Sequence, residues 1–131
     1  MAVLLLDTSV LVDALNGKRG RTQFLDELLA QGNLLACCSI NITEVYAGMR
    51  PNEAVATEEF LRSLKFYEMT WDVARLAGEL KSHWSRKGHA LSLPDVTVAA
   101  VAVTNGLTLL TDNQKHFPMK ELHLMKLPAT L

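Results

Sequence analysis

The 131-residue chain is poor in cysteine, in aromatic residues and in net charge. Its two cysteines, Cys37 and Cys38, are adjacent, so they can bond to each other only through a strained peptide, and no third cysteine is present. We therefore expect reduced, buried thiols of an intracellular protein. Aromatic residues make up 6% of the chain, and the formal net charge is -1. This balance gives no reason to expect a nucleic-acid-binding surface over the whole chain, so any basic surface has to be local.

Other absences narrow the class of protein further. The apolar start of the chain, Val3 to Leu6, is short, follows no basic segment and ends at Asp7. We therefore expect neither a signal peptide nor a membrane span, and predict a cytoplasmic protein. No glycine-rich fingerprint follows this run, which argues against a nucleotide-binding Rossmann module. Without repeats, low-complexity tracts or linkers, residues 1–131 are expected to form one domain.

The most strongly patterned stretch is an apolar segment near residue 100. Pro94 suits a first helical turn, Asn105 and Gly106 supply a left-handed stop, and small apolar residues fill the space between them. A helix that is apolar on all sides belongs in the interior of a domain. Asp95 therefore lies in the first turn of a predicted buried helix, where its charge needs a partner.

Short apolar runs alternate with helical patterns along the rest of the chain. The runs of strand length cover residues 3–6, 34–40, 66–69, 107–110 and 123–127, and the helical patterns between them include one opened by Ser39 or Asn41. Such alternation is typical of a mainly parallel sheet covered on both faces. We predict a three-layer α/β/α domain of the α/β class.

Four acids are predicted to gather at one edge of that sheet. Asp7 and Asp112 directly follow predicted strands, while Glu44 and Asp95 lie in the first turns of helices that enter from the same side. Carboxylates brought together repel one another unless a cation is present. Oxygen ligands without histidine or cysteine favour Mg²⁺ or Mn²⁺, and such a centre suits the hydrolysis of phosphodiesters.

Each acid also has a purely structural interpretation. Asp7 could cap the first helix, and Asp95 could simply favour the helix dipole. Asn41 and Glu44 match a capping box, in which the Glu44 side chain returns to the Asn41 amide. Asp112 could be a turn residue. The functional hypothesis therefore depends on all four acids together.

Four short motifs occur in a fixed order along the chain. They read LDTSVLV at residues 6–12, SINITE at 39–44, PD at 94–95 and LTDN at 110–113. With these motifs the chain resembles the PIN-domain ribonucleases, and within them the small VapC-type toxins of bacterial and archaeal toxin–antitoxin pairs. The resemblance covers nearly the whole chain.

This resemblance implies a PIN-like fold and a Mg²⁺- or Mn²⁺-dependent endoribonuclease, with Asp7, Glu44 and Asp95 at the family's acidic positions. The family's fourth acid often stands two residues after a threonine, a place that Asn113 occupies in this chain. We assign the fourth position to Asp112, with Asn113 as a supporting residue.

The resemblance also implies supporting hydroxyls and protein partners. Ser9 and Thr111 fall where the family supplies hydroxyls that hold acids or water. The expected partners are an RNA substrate, a second copy of the chain and a cognate antitoxin, whose inserted segment often presents an arginine to the acids.

An acidic centre needs basic groups beside it if it is to hold RNA. Two local clusters are candidates for contacts with phosphates, Lys18, Arg19 and Arg21 in the first, and Lys81, His83, Arg86, Lys87 and His89 in the second. Both could equally be solvated surface charges. His116 is expected to pack or cap locally.

Two other functions compete with cleavage of RNA. One is a catalytically inactive PIN-like module that binds RNA or protein. The other is a phosphatase with an aspartyl-phosphate intermediate, since Asp7 follows the first strand; that chemistry needs a second acid at the position of Ser9.

Overall fold

The computed structural model describes residues 2–128 and contains a five-stranded parallel sheet. The strands are β1 (Val3–Leu6), β2 (Leu34–Cys38), β3 (Lys65–Tyr67), β4 (Thr108–Thr111) and β5 (His123–Lys126), and their order in the sheet is β3-β2-β1-β4-β5. All four neighbouring pairs are parallel. The predicted α/β class and parallel sheet are confirmed.

Helices cover both faces of the sheet. They are α1 (Thr8–Leu15), α2 (Arg21–Ala30), α3 (Ser39–Gly48), α4 (Ala54–Arg62), α5 (Trp71–Arg86) and α6 (Leu93–Asn105), with short 3₁₀ turns at Pro51–Glu53 and Gln114–His116. Within residues 2–128, no helix is long and apolar enough to cross a bilayer.

The central strands are buried on both faces because their alternate side chains enter two separate cores. Leu5 and Leu109 pack with α5 and α6, whereas Leu4, Leu6 and Leu110 pack with α1 to α4. This two-sided burial explains why the strands read as continuous apolar runs in the sequence.

Helix α6 is the buried helix that the apolar segment predicts. Every residue from 96 to 102 is buried, Ser92 caps the helix by accepting from the Asp95 amide at 3.2 Å, and Gly106 ends it with φ 65°. Asp95 thus lies in the first turn, as predicted, on a helix whose position is fixed by packing.

Several predicted boundaries differ from the structure. Strand β2 ends at Cys38 instead of Ile40, because α3 begins at Ser39, and β3 is Lys65–Tyr67 instead of residues 66–69. Arg21, predicted to lie in a basic loop, is the first residue of α2 and is buried. The first and last of these differences alter the site.

Candidate active site

Asp7 lies at the carboxyl end of β1, beside the neighbouring strand β4. It is 7% exposed, and its backbone amide donates to the Leu110 carbonyl at 3.0 Å. One carboxylate oxygen accepts from the Thr8 amide at 2.9 Å, and the other accepts from Thr111 Oγ1 at 2.8 Å. Asp7 therefore caps α1 and is also held at the sheet edge, so its structural and functional interpretations are compatible.

Asp95 and Asp112 lie close enough to Asp7 for their negative charges to affect the pKa of its carboxyl group. Burial raises the pKa of the Asp7 carboxyl above its ordinary value, and the negative charges of Asp95 and Asp112 raise it further. The hydrogen bonds from Thr111 and the Thr8 amide lower the pKa and oppose this rise. These three acids thus form a region of negative charge that is unfavourable without a cation.

Glu44 is joined to this region through Thr8. Thr8 Oγ1 donates to Glu44 Oε1 at 2.7 Å and accepts from Asn41 Nδ2 at 2.9 Å. Asn41 is fully buried, and its Oδ1 accepts from the amide and the thiol of Cys38 at 2.9 and 3.1 Å. A chain of hydrogen bonds therefore runs from the end of β2 to the Glu44 carboxylate.

The purely structural interpretation of Glu44, a capping box with Asn41, is wrong. Because α3 begins at Ser39, Glu44 lies in the second turn, and Asn41 caps the helix by accepting from the Cys38 amide. The Glu44 carboxylate is thereby released to face Thr8. Sequence reasoning missed the roles of Thr8 and Asn41; the signal available was their position inside the two motifs that carry Asp7 and Glu44.

Asp112 is held by a hydroxyl and two arginines. Its Oδ1 accepts from Ser9 Oγ at 3.3 Å, and its Oδ2 lies 3.4 Å from both Arg19 Nη1 and Arg21 Nη2. Asn113 contributes through its backbone, since its amide donates to Thr111 Oγ1 at 3.0 Å. The structure thus brings Asp112, the residue assigned to the fourth position, close to Asp7.

The first basic cluster is partly internal. Arg21 has a side chain only 4% exposed, and its Nε lies 3.8 Å from Asp13 Oδ2. Arg19, whose side chain is 56% exposed, contacts the same two acids, Asp13 and Asp112. Arg21 is therefore not the loop side chain that the sequence predicted, and Asp13, which sequence reasoning missed, is a second partner of both arginines. Contact of Lys18 and Arg19 with phosphates stays a prediction.

The second basic cluster makes mostly local contacts around the end of α5. Lys81 Nζ donates to the Leu91 carbonyl at 2.6 Å, Arg86 donates to Ser82 Oγ at 3.1 Å, and Lys87 Nζ lies 5.3 Å from the ring centroid of Trp84. The rings of His83 and His89 make edge contacts with that same tryptophan. Binding of RNA by Arg86 and Lys87 stays a prediction, and Lys81 has a structural role.

His116 does not pack or cap in the way that the sequence suggested. Its side chain is 55% exposed, and Nδ1 lies 3.4 Å from Asp95 Oδ2. The 3₁₀ turn that follows β4 brings this imidazole to the Asp95 carboxylate instead.

The four acids at this edge suit a hard divalent cation. Their ligand atoms are carboxylate oxygens, and within residues 2–128 no lysine or arginine nitrogen lies within 4.0 Å of the carboxylates of Asp7, Glu44 or Asp95. Within residues 2–128, no three or more histidine, cysteine, aspartate or glutamate side chains are already grouped closely enough to hold a metal ion. A bound cation would draw the carboxylates together.

Comparison with protein families matches the PIN domain over residues 4–121. The chain belongs to the PIN domain family. The predicted family resemblance is confirmed by this match, which includes all four acids.

The chain is similar to other proteins over nearly its whole length. It is 33% identical over 115 residues to Ribonuclease VapC19 of Mycobacterium tuberculosis, covering 88% of this chain and 92% of the relative. It is 31% identical over 119 residues to Ribonuclease VapC10 of the same species, covering 91% and 89%. Among solved structures, VapBC2 from Rickettsia felis, bound to a DNA fragment from its promoter, superposes with a TM-score of 0.82 at 26% identity and covers 95% of this chain and 98% of the matched chain. The PIN-like fold is therefore confirmed.

Proposed function

We propose that this PIN domain is an endoribonuclease, the toxin of a toxin–antitoxin pair, which hydrolyses phosphodiester bonds of RNA. The observation that carries the proposal is the placing of four acids along the carboxyl edge of the sheet, with Thr111 holding Asp7, Thr8 holding Glu44, Ser9 holding Asp112 and Asp95 in the first turn of α6. Relatives at 31% and 33% identity that bear the name ribonuclease support the same activity.

We propose Mg²⁺ or Mn²⁺ as the cofactor, held by Asp7, Glu44, Asp95 and Asp112 directly or through water. When bound, such an ion polarises a phosphoryl oxygen, activates water as the nucleophile and stabilises the departing oxygen. The choice of these ions is supported by the all-oxygen donor set and by the three carboxylates that lack a lysine or arginine partner within residues 2–128.

The chain's own residues hold the acids in place for this chemistry. Thr111 and the Thr8 amide fix the two oxygens of Asp7, and the Thr8 hydroxyl fixes one oxygen of Glu44. Asp95 is placed by the capped start of a buried helix. Because these contacts lie within the scaffold, the carboxylates of Asp7 and Glu44 are oriented before a substrate phosphate arrives.

An inactive PIN-like binding module is the weaker alternative. It would need no acids along the carboxyl edge of the sheet, and two relatives that are similar to this chain over about nine-tenths of its length are named as ribonucleases. The phosphatase alternative is weaker still, since Ser9 binds Asp112 and no acid stands in its place.

We further propose a cognate antitoxin and a second copy of the chain as protein partners, in the cytoplasm. The antitoxin is supported by similarity to VapBC2 of Rickettsia felis and to a toxin–antitoxin complex from Klebsiella pneumoniae, both at 26% identity. Large apolar side chains, namely Val55, Phe66, Met69 and Trp71, are exposed around α4 and the start of α5. Such a patch is typical of a protein interface.

The test is cleavage of a labelled pool of structured RNAs by purified protein freed of antitoxin. We expect cutting with Mg²⁺ or Mn²⁺, no cutting with EDTA, and no cutting by Asp95→Asn. Asp72→Asn, the same change in the first turn of α5, is the matched control and should cut as wild type does. Equal cutting by wild type and Asp95→Asn would overturn the site, and cutting undiminished in EDTA would overturn the cofactor.

A further inference from the structure

A cavity of about 390 Å³ adjoins Asp112 and is rich in cationic side chains. Four cations from three segments of the chain line it, Arg19, Arg21, Lys115 and Lys126, against the single carboxylate of Asp112. Cations that converge from separate segments are more specific than a run of basic residues in one loop. The cavity is therefore a candidate anion site.

Arg21 gives the cavity a preorganised donor. Its side chain is 4% exposed; Nη2 faces Asp112 at 3.4 Å, and Nη1 donates to the Pro128 carbonyl at 3.5 Å. Among residues 2–128, Nε has no hydrogen-bond partner, although Asp13 Oδ2 lies 3.8 Å away. The Nη1 and Nη2 contacts are at the long end of hydrogen bonding, so these terminal nitrogens can gain from a better acceptor, and their planar fork suits a phosphate.

The two lysines supply charge that the protein itself does not neutralise. Lys126, at the end of β5, is paired in register with Thr111 of β4, and Lys115 lies in the 3₁₀ turn that follows β4. Neither ammonium lies within 4.0 Å of a carboxylate oxygen in the part of the chain that the structure describes. Because Asp13 and Asp112 offset the two arginines, the excess positive charge of the cavity comes from the lysines.

We propose that this cavity binds a backbone phosphate of RNA adjacent to the phosphate held at the acids. The proposal rests on the proposed function of the acidic edge. One RNA strand carries a phosphate at every nucleotide, so a strand that crosses Asp112 can place one phosphate over the acids and another among the four cations. This arrangement would also explain how an acidic site can hold RNA, since two of the cations lie directly beside Asp112. A carboxylate-rich peptide lacks the regular phosphate spacing and is the less favoured occupant.

Binding measured without cleavage tests the proposal. In the Asp95→Asn background, the affinity for a fluorescein-labelled single-stranded RNA octamer is measured by anisotropy over a series of KCl concentrations. We expect the Lys115→Gln/Lys126→Gln pair to bind at least tenfold more weakly at low salt. The slope of log affinity against log salt should fall by about 1.4, since each phosphate contact in a single strand contributes about 0.7.

The matched control is Lys65→Gln/Lys120→Gln, which removes the same charge from two exposed lysines outside the cavity. It should leave the slope unchanged, and thermal melts should show both pairs folded. An equal slope for the two pairs, or stronger competition by a glutamate octapeptide than by unlabelled RNA, would overturn the subsite. Cleavage by wild type with unchanged slopes defeats only the subsite, whereas altered slopes without any cleavage defeat only the nuclease.

Discussion

The carboxylates at the sheet edge have two different kinds of partner. On one side, Asp7 and Glu44 accept hydrogen bonds from hydroxyls and amides and have no lysine or arginine within 4.0 Å in residues 2–128. On the other side, Asp112 lies 3.4 Å from the guanidinium groups of both Arg19 and Arg21. With the proposed cofactor, we therefore expect the first side to need a cation from solution, whereas the second side has arginine partners in the chain itself. We expect the two sides to respond differently to metal, to substitution and to salt.

The largest expected difference is in stabilisation by metal. An ion that binds only the folded state at 100 times its dissociation constant stabilises the protein by about 2.7 kcal/mol. Asp7→Asn keeps an amide that can cap α1 but removes a charge with no cationic partner, so we expect it to lose most of this gain. Asp112→Asn should lose less, because arginines already neutralise that carboxylate.

Melting with and without Mn²⁺ measures this difference for the two variants. An equal loss of stabilisation in Asp7→Asn and Asp112→Asn would show that the two sides do not differ toward the cation. No effect of Mn²⁺ on wild type would remove the proposed cofactor.

The second prediction concerns the arginine side without metal. Arg21→Gln leaves Asp13 and Asp112 beside a neutral group in a buried position, and should destabilise the fold by about 2 kcal/mol, a value reduced because both carboxylates are partly exposed. Arg19→Gln removes the exposed partner of the same acids and should cost less than about 0.5 kcal/mol. Urea unfolding of the two variants measures both values, and similar costs would mean that burial of Arg21 is not what matters.

The third prediction concerns the hydroxyl side. Thr8→Val keeps the shape of the side chain but removes the donor to Glu44 and the acceptor for Asn41, so cleavage should fall about tenfold, the equivalent of about 1.4 kcal/mol. Thr8→Ser restores the hydroxyl and should restore most of the rate. Failure of serine to rescue cleavage would assign the loss to packing instead of to the position of Glu44.

The sequence predicts the parallel sheet and the edge where the acids meet, because buried strands and strand-end acids leave local patterns. It does not predict how each acid is held. Helix α3 begins at Ser39, the earlier of the two starts that the sequence allows, and this places Glu44 in the second turn, facing Thr8, instead of in a capping box. Contacts such as Arg21 with Asp112 or His116 with Asp95 join residues 91 and 21 positions apart, and no local pattern encodes them.

The smallest expected effect lies at the far end of the hydrogen-bond chain that holds Glu44. Burial raises the pKa of the Cys38 thiol to about 11, so the thiol is neutral at neutral pH and can donate to Asn41 Oδ1. Cys37 is equally buried, with a pKa also raised to about 11, but its thiol makes no such bond within residues 2–128. Alanine at either position removes the same volume from a packed core and should cost about 1 kcal/mol.

Any excess for Cys38→Ala over Cys37→Ala isolates the thiol bond, which we expect to be worth less than about 0.5 kcal/mol because sulfur is a weak donor. Since the Cys38 amide still donates to Asn41, cleavage by Cys38→Ala should stay within about twofold of wild type, and a larger fall would mean that the thiol itself helps to hold Glu44.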